Sequence, residues 1–125
     1  MEYRPMAQLP KGISDMVRGY LECAEWCGLE DADREALELA VSPKWTAEAI
    51  QRATEDCGAF LADHATEIGS KHSRAGNDFW LTRNQHGAGF WDGDWENEET
   101  LTKGAHAYGE AYVSFDADTE QLSLS

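Results

Sequence analysis

Apolar residues recur at spacings of three and four near the start of the chain, which is the pattern of a helix with one buried face. The pattern predicts a helix that begins near Ser14 and ends at Gly28, where glycine can take the left-handed conformation that closes many helices. Residues 1–12 hold two prolines and no periodicity, so they are predicted to form a loose arm. Residues 30–38 hold five acids and are predicted to be a loop or one short helix. The apolar face of the first helix contains Ile13, Met16, Val17, Tyr20, Ala24 and Cys27.

A second and longer helical pattern follows. Ser42-Pro43 is a good helix start, because serine can cap free backbone N–H groups and proline is tolerated in the first turn. This helix is predicted to end at Gly69-Ser70, and the polar residues 71–76 are predicted to be a connection. Its apolar stripe contains Trp45, Ala49, Ile50, Ala53, Cys57, Phe60, Leu61, His64 and Ile68. Among these, Ile50 and Phe60 are expected in the core, together with Trp80 or Trp91.

The aromatic-rich segment NDFWLTRNQHGAGFWDGDW, residues 77–95, is predicted to contain a β-hairpin. Residues 79–83 and 88–92 are β-prone and flank the turn-forming sequence NQHG. Polar residues at the tip of a rigid hairpin are candidates for reading a polar ligand. The alternative is that these residues only form the turn, since no nucleophile and no orienting acid accompanies the histidine. The tip residues are Arg83, Asn84 and His86.

The last third of the chain is predicted to add a short helix and further strands. Asn97 is predicted to cap a helix of about three turns that ends at Gly109. Residues 111–115 alternate as a strand does, and residues 121–124 are predicted to return as an edge strand. The sequence therefore predicts a single α+β domain, residues 1–125. In it, two N-terminal helices and a short third helix pack on a small antiparallel sheet of three to four strands.

The composition is strongly acidic, with 24 Asp and Glu against 10 Lys and Arg, a formal net charge of −14 and a pI near 4.4. Binding to a phosphate backbone depends on clustered Lys and Arg, and the basic residues here are scattered, so direct nucleic-acid binding is disfavoured. An acidic surface attracts a basic protein surface instead. The chain has neither an apolar run of the roughly 18 residues that a membrane span needs nor the apolar core of a signal peptide. We therefore expect no membrane partner and a cytoplasmic location.

Two groups of residues have the composition of metal sites, but their patterns disfavour metal binding. Acids alternate from Asp92 to Glu99 as in calcium loops, yet the sixth and twelfth positions are Asn97 and Lys103 rather than Gly and Glu. A solvated acidic loop is therefore favoured. Three cysteines and a histidine lie in apolar stripes, which favours reduced, mostly buried thiols over zinc. No metal and no cofactor is predicted. The residues weighed for zinc are Cys23, Cys27, Cys57 and His64.

Four segments resemble a family of small uncharacterised proteins encoded by bacteriophages and prophages: YLECAEW at 20–26, ATEDCGAFL at 53–61, DFWLTRNQHGAGFWD at 78–92 and LTKGAHAYGEAYVSFD at 101–116. The similarity covers most of residues 13–116. The chain departs from the family pattern at Gln85, where the family has glycine, and in a more acidic continuation after Asp92. The resemblance implies a phage context, and hence a host cytoplasm, but no activity or site.

The favoured hypothesis for function is a small acidic phage protein that binds a basic host protein surface. Two acidic clusters can imitate rows of phosphates, which suggests an inhibitor of a host nucleic-acid-binding or defence factor. The alternative interpretation of the charge is that it only keeps the protein in solution. The alternatives are a small enzyme or metal-dependent factor using Arg83, His86 and Asp92, and a homodimeric module using an aromatic surface around Trp80, Trp91 and Trp95. No phosphate-loop, nucleophile-elbow, dinucleotide or zinc-protease motif occurs, so no catalytic residue is assigned. The partner-binding candidates are Glu30, Asp31, Asp33, Glu35, Asp92, Asp94, Glu96, Glu98 and Glu99.

Overall fold

The computed structural model describes residues 11–41, 43–85, 88–92 and 95–125. In this part of the chain, helices predominate over a small sheet, so the predicted α+β class is confirmed. The elements in chain order are α1 (Lys11–Cys27), α2 (Asp31–Leu39), β1 (Lys44–Trp45), α3 (Ala47–Ile68), α4 (His72–Arg83), α5 (Glu98–His106), β2 (Val113–Asp116) and β3 (Gln121–Leu124).

Helices α1 and α4 cross at unusually close range, because a glycine of each helix faces the backbone of the other. A Cβ atom placed on Gly19 would lie 2.2 Å from the carbonyl oxygen of Ser73, and one on Gly76 would lie 2.1 Å from that of Met16. Only glycine permits this approach. The apolar face predicted for α1 is the face that packs here, with Met16 and Tyr20 fully buried.

Helix α4 contradicts two sequence predictions. Residues 71–76 are not a connection and residues 79–83 are not a strand, because His72–Arg83 is a continuous helix. Its buried residues include the adjacent pair Phe79 and Trp80, so the helix is enclosed on several sides and shows no one-sided stripe. Tertiary burial thus overrides the β-propensity of the aromatic residues. Residues 88–92 form a turn instead of the partner strand, with the Asp92 amide donating to the carbonyl of Gly89 at 3.2 Å.

Aromatic rings fill the space between α3, α4 and the segment that follows α4. Phe60 is fully buried and stacks on Phe79, with 4.4 Å between ring centroids, and on Phe90, with 5.6 Å. Of the two tryptophans considered for the core, Trp80 is 1% exposed and Trp91 is 37% exposed, so Trp80 is the core residue. The predicted burial of Phe60 is confirmed. Ile50 is only partly buried at the edge of this cluster.

The sheet is mixed, with strand order β1-β3-β2, and this corrects the predicted antiparallel sheet. β3 pairs antiparallel with β2 and parallel with β1, so it is the central strand rather than an edge strand. β1 lies in the segment predicted to start the long helix. That helix begins only at Ala47, after Thr46, whose Oγ1 accepts a hydrogen bond from the Ala49 amide at 3.1 Å. A second, smaller core of Leu29, Phe115 and Leu122 lies between α2 and the sheet.

The remaining boundaries agree with the sequence more closely. The acidic segment forms the short helix α2, and α5 begins after Asn97, although the Asn97 side chain makes no cap hydrogen bond. α1 begins at Lys11, so its first two residues belong to the helix and not to the predicted arm. Residues 1–10 of that arm, together with Ser42, lie outside the described residues. Gly28 follows α1 without a positive φ, and a Cβ there would lie 2.7 Å from Val113 and 2.8 Å from Trp80.

We expect Phe60→Ala to lower the free energy of unfolding by about 3–5 kcal/mol, because a fully enclosed ring is removed and a cavity is left. Ile50→Ala should cost less, since Ile50 is only partly buried. Chemical denaturation followed by circular dichroism measures both. A loss below about 1 kcal/mol for Phe60→Ala would contradict this account of the core.

From the close crossing of α1 and α4 we predict opposite changes in stability when two helical glycines are replaced by alanine. Gly76→Ala should destabilise the protein by at least about 1–3 kcal/mol, because the new methyl group meets backbone that cannot move aside without separating α1 from α4. Gly58→Ala in α3 is the control, since no atom lies within 4 Å of its Cβ position. That control should stabilise by about 0.4–1 kcal/mol through the unfolded state. Equal effects of the two substitutions would exclude a backbone contact at Gly76.

Candidate functional site

Arg83, predicted at a hairpin tip, lies at the C-terminal end of α4 and is 6% exposed. Its Nη1 donates to Asp56 Oδ2 at 2.8 Å and to the Tyr20 hydroxyl at 2.9 Å. Its Nε donates to the Gly109 carbonyl at 2.8 Å, and its Nη2 to the Tyr108 carbonyl at 3.1 Å. One guanidinium therefore ties α1, α3 and α4 to the segment after α5.

We call Arg83 and its four hydrogen-bond partners the Arg83 centre, and its hydrogen bonds stabilise the fold. It borders a polar cleft of about 470 Å³, which is also lined by Glu48, Glu55 and Tyr108. Burial raises the pKa of the Tyr20 hydroxyl well above its ordinary value, and the positive charge of Arg83 only partly opposes this effect. The hydroxyl therefore stays neutral and accepts from Arg83. Because the guanidinium already donates to four protein oxygens, it is poorly placed to bind or activate a substrate.

Other polar residues of the segment 78–92 also make internal hydrogen bonds. Asn84 donates from Nδ2 to the Trp80 carbonyl and accepts at Oδ1 from the Ala111 amide, both at 2.9 Å. The Thr82 hydroxyl accepts from the Phe90 amide at 3.0 Å. Asp78 accepts from the indole nitrogen of Trp95 at 2.7 Å. These side chains hold the chain after α4 against the helices.

Of the three residues proposed for an enzymatic site, the two that the structure describes border different clefts. Arg83 borders the cleft beside Asp56, whereas Asp92 borders a different cleft beside Trp26. The Asp92 carboxylate accepts from the Gly89 amide at 3.0 Å and so closes a turn. His86 lies outside the described residues.

The first acidic cluster lies on the surface. Glu30 is exposed directly before α2, Asp31 and Glu35 are exposed on that helix, and Asp33 is partly buried. Asp31 and Asp33 lie in the first turn, where the helix dipole favours negative charge. No residue of α2 is buried, and Leu39 at its end is exposed as well. The helix therefore presents its acids as a ridge on the protein surface.

The second cluster is divided between different parts of the surface. Asp92 borders the cleft beside Trp26, whereas Glu96 borders a cleft of about 300 Å³ beside Lys71 and Trp95. Glu99 is exposed and forms an ion pair with Lys103 at 3.2 Å. Glu98 is partly buried, and Asp94 lies outside the described residues.

Trp26, at the end of α1, is a surface residue that the sequence analysis did not single out. Its side chain is 75% exposed and borders two clefts. One, of about 240 Å³, lies against α2 and includes Leu37 and Glu38. The other, of about 670 Å³, extends to α4 and includes Asp92. The available signal was its position outside the apolar stripe of α1, which predicts an aromatic ring on the solvent side.

The thiols differ in exposure, which corrects the expectation that they are mostly buried. Cys57 is fully buried, Cys23 partly buried and Cys27 exposed. Burial, and next the neighbouring Cys27, raise the pKa of the Cys23 thiol to about 12. Within the described residues, no group of three or more His, Cys, Asp or Glu side chains is arranged to hold a metal ion.

Comparisons with known proteins add no assignment. No protein-family model matches the chain, and neither a curated protein nor a solved structure does. Among the described helices, none combines the length and apolar character needed to cross a membrane.

The Arg83 centre predicts how stability depends on alkaline pH. Because the folded state raises the pKa of Tyr20, the unfolded chain loses the tyrosine proton first as pH rises. The contribution of Tyr20 to the free energy of unfolding is therefore fully present below the ordinary tyrosine pKa of about 10 and declines above that pH. Tyr20→Phe should cost about 1–3 kcal/mol near pH 8, where a hydrogen bond to Arg83 is lost, and should show a weaker decline above pH 10. Denaturant unfolding at several pH values measures both effects. An identical alkaline decline in the variant and the wild type would contradict this assignment.

Proposed function

We propose that this chain is a small, non-enzymatic, phage-encoded protein that binds a basic surface of a host protein. In this proposal the acidic surface competes with nucleic acid, so that the protein inhibits a host nucleic-acid-binding or defence factor. The phage context comes from the resemblance of residues 13–116 to phage and prophage proteins. The binding role comes from the surface charge.

The observation that carries the proposal is the acidic ridge of α2. Asp31, Glu35 and Glu38 are exposed at positions i, i+4 and i+7. A helix rises about 1.5 Å per residue, so these carboxylates follow one another about every 4.5–6 Å along one face. Phosphates along one DNA strand follow at about 3.4 Å of axis. One face of α2 packs on the second core, and its acids lie on the remaining surface, where a partner can reach them.

Two of the basic residues do not neutralise the negative charge of this ridge, because each pairs with an acid on a helix other than α2. Arg83 is enclosed beside Asp56, and Lys103 pairs with Glu99 on α5. With a formal net charge of −14, the molecule carries a negative field that speeds encounters with a basic partner.

The two other hypotheses receive less support. The enzymatic hypothesis required Arg83 to contact a substrate, but its guanidinium donates hydrogen bonds to four protein oxygens. The homodimer hypothesis relied on a surface around Trp80, Trp91 and Trp95. Trp80 and Trp95 are buried, so that surface does not exist as predicted.

If the acids steer binding, neutralising them should slow association far more than it lowers stability. The first variant converts Glu30, Asp31, Asp33 and Glu35 to their amides, and the second converts Asp94, Glu96, Glu98 and Glu99. Exposed charges act over a Debye length of about 8 Å at physiological salt, and each contributes little to folding. We expect the α2 variant to have the larger effect, since the second cluster is divided.

The measurement has two steps. Host proteins captured at low salt are identified, and their association rates with both variants are then measured by stopped flow at low and high salt. Duplex DNA should compete for the captured protein if the acidic surface imitates phosphates. The proposal is wrong if both variants bind at the wild-type rate and binding persists at high salt.

A further inference from the structure

Among the described residues, Trp26 has the most exposed aromatic side chain, and several acids border the same two clefts. Trp80 and Trp95 are buried, and Trp91 is 37% exposed, whereas Trp26 is 75% exposed. Exposed tryptophan is unusual on a soluble surface, and tryptophan is enriched among the residues that dominate binding energy at interfaces. Trp26 therefore marks a surface that can be covered by a partner.

The position of this ring is set by the junction of α1 and α2. Arg34 of α2 donates from Nη2 to the Trp26 carbonyl, so the end of α1 is held against α2. Trp26 and Leu37 then border a small cleft whose other residues include Glu25 and Glu38. We call Glu22, Glu25, Trp26, Leu37 and Glu38 the Trp26 surface.

The charges around Trp26 are unbalanced. Its two clefts are bordered by five acids and two arginines, and one of those arginines is Arg34, which already contacts the Trp26 carbonyl. Burial, and next the charge of Glu22, raise the pKa of Glu25, so a cation placed beside this carboxylate would be stabilised. The acids are Glu22, Glu25, Glu38, Asp78 and Asp92, and the arginines are Arg34 and Arg74.

We propose that the Trp26 surface binds an arginine-containing basic segment of a partner protein, with a guanidinium stacked on the Trp26 indole and paired with the carboxylates of Glu22, Glu25 or Glu38. This inference rests on the proposed function and names the contact site and its chemistry. Arginine fits better than lysine, because its planar guanidinium stacks on aromatic faces and binds carboxylates in a bidentate manner. A second copy of the chain is a poor occupant, since it would bring a further net charge of −14 to an acidic surface.

The test uses the full chain with octa-arginine and octa-lysine as probes, titrated at low salt by calorimetry. Trp26→Ala should weaken octa-arginine binding about two- to fivefold, the loss expected for one exposed cation–π contact, and should weaken octa-lysine binding less. Trp26→Phe should fall between alanine and the wild type. Tyr112→Ala is the control, because Tyr112 is 63% exposed and lies beside Glu110 but borders neither cleft. It should bind as the wild type does.

Two double variants distinguish the effect of the charges near Trp26 from the effect of the overall net charge. Glu22→Gln/Glu25→Gln and Glu48→Gln/Glu55→Gln remove the same net charge, but the second pair borders the cleft beside Arg83. We expect the first pair to weaken octa-arginine binding several-fold more than the second. Circular dichroism confirms that each variant is folded.

The outcomes distinguish this inference from the function on which it rests. If the wild type binds octa-arginine in a salt-dependent manner but Trp26→Ala and the first acid pair change nothing beyond their controls, the Trp26 surface is refuted and the proposed function stands. If the wild type binds neither peptide at low salt, both are refuted. Sedimentation that shows a dimer dissociated by Trp26→Ala would assign the surface to a second copy and overturn the inference.

Discussion

The close crossing of α1 and α4 is the constraint on which the rest of the structure depends. Gly19 and Gly76 let the two backbones touch, and seven of the twelve residues of α4 are buried. From that position Phe79 reaches the ring of Phe60 on α3, and Trp80 meets the edge of Tyr20 on α1, with 5.5 Å between ring centroids. Any larger residue at the two glycines would separate the helices and remove these contacts together.

Several buried polar groups of α4 have hydrogen-bond partners inside the protein. Arg83 makes hydrogen bonds to Asp56, Tyr20 and two backbone carbonyls, while Asn84 and Thr82 bind the amides of later segments. An enclosed guanidinium without such partners would be costly, so the burial of Arg83 depends on these hydrogen bonds. The described polar side chains at the end of α4 thus serve the architecture rather than a site for a substrate.

The acidic surface is separate from this interior. α2 contacts the body of the protein through its partly buried face against Leu29, Phe115 and Leu122, and it buries no residue completely. Its charges therefore contribute little to folding, which leaves them available for a partner. The same helix completes the cleft beside Trp26, so electrostatic attraction and an apolar contact would act on one partner at adjacent places.

The sequence by itself determined the features that depend on local patterns: the buried faces of α1 and α3, the acidic character of the segment that forms α2, the last two strands and the negative charge. The tertiary structure decided the rest. The local pattern predicts a connection and a strand for α4 because its buried residues include polar ones, such as Asp78, Thr82 and Arg83, so no apolar period is visible. The central place of β3 depends on pairing with β1, far away in the chain. Trp26 and Asp92 border one cleft only because α1 and α4 cross, a relation that no local pattern encodes.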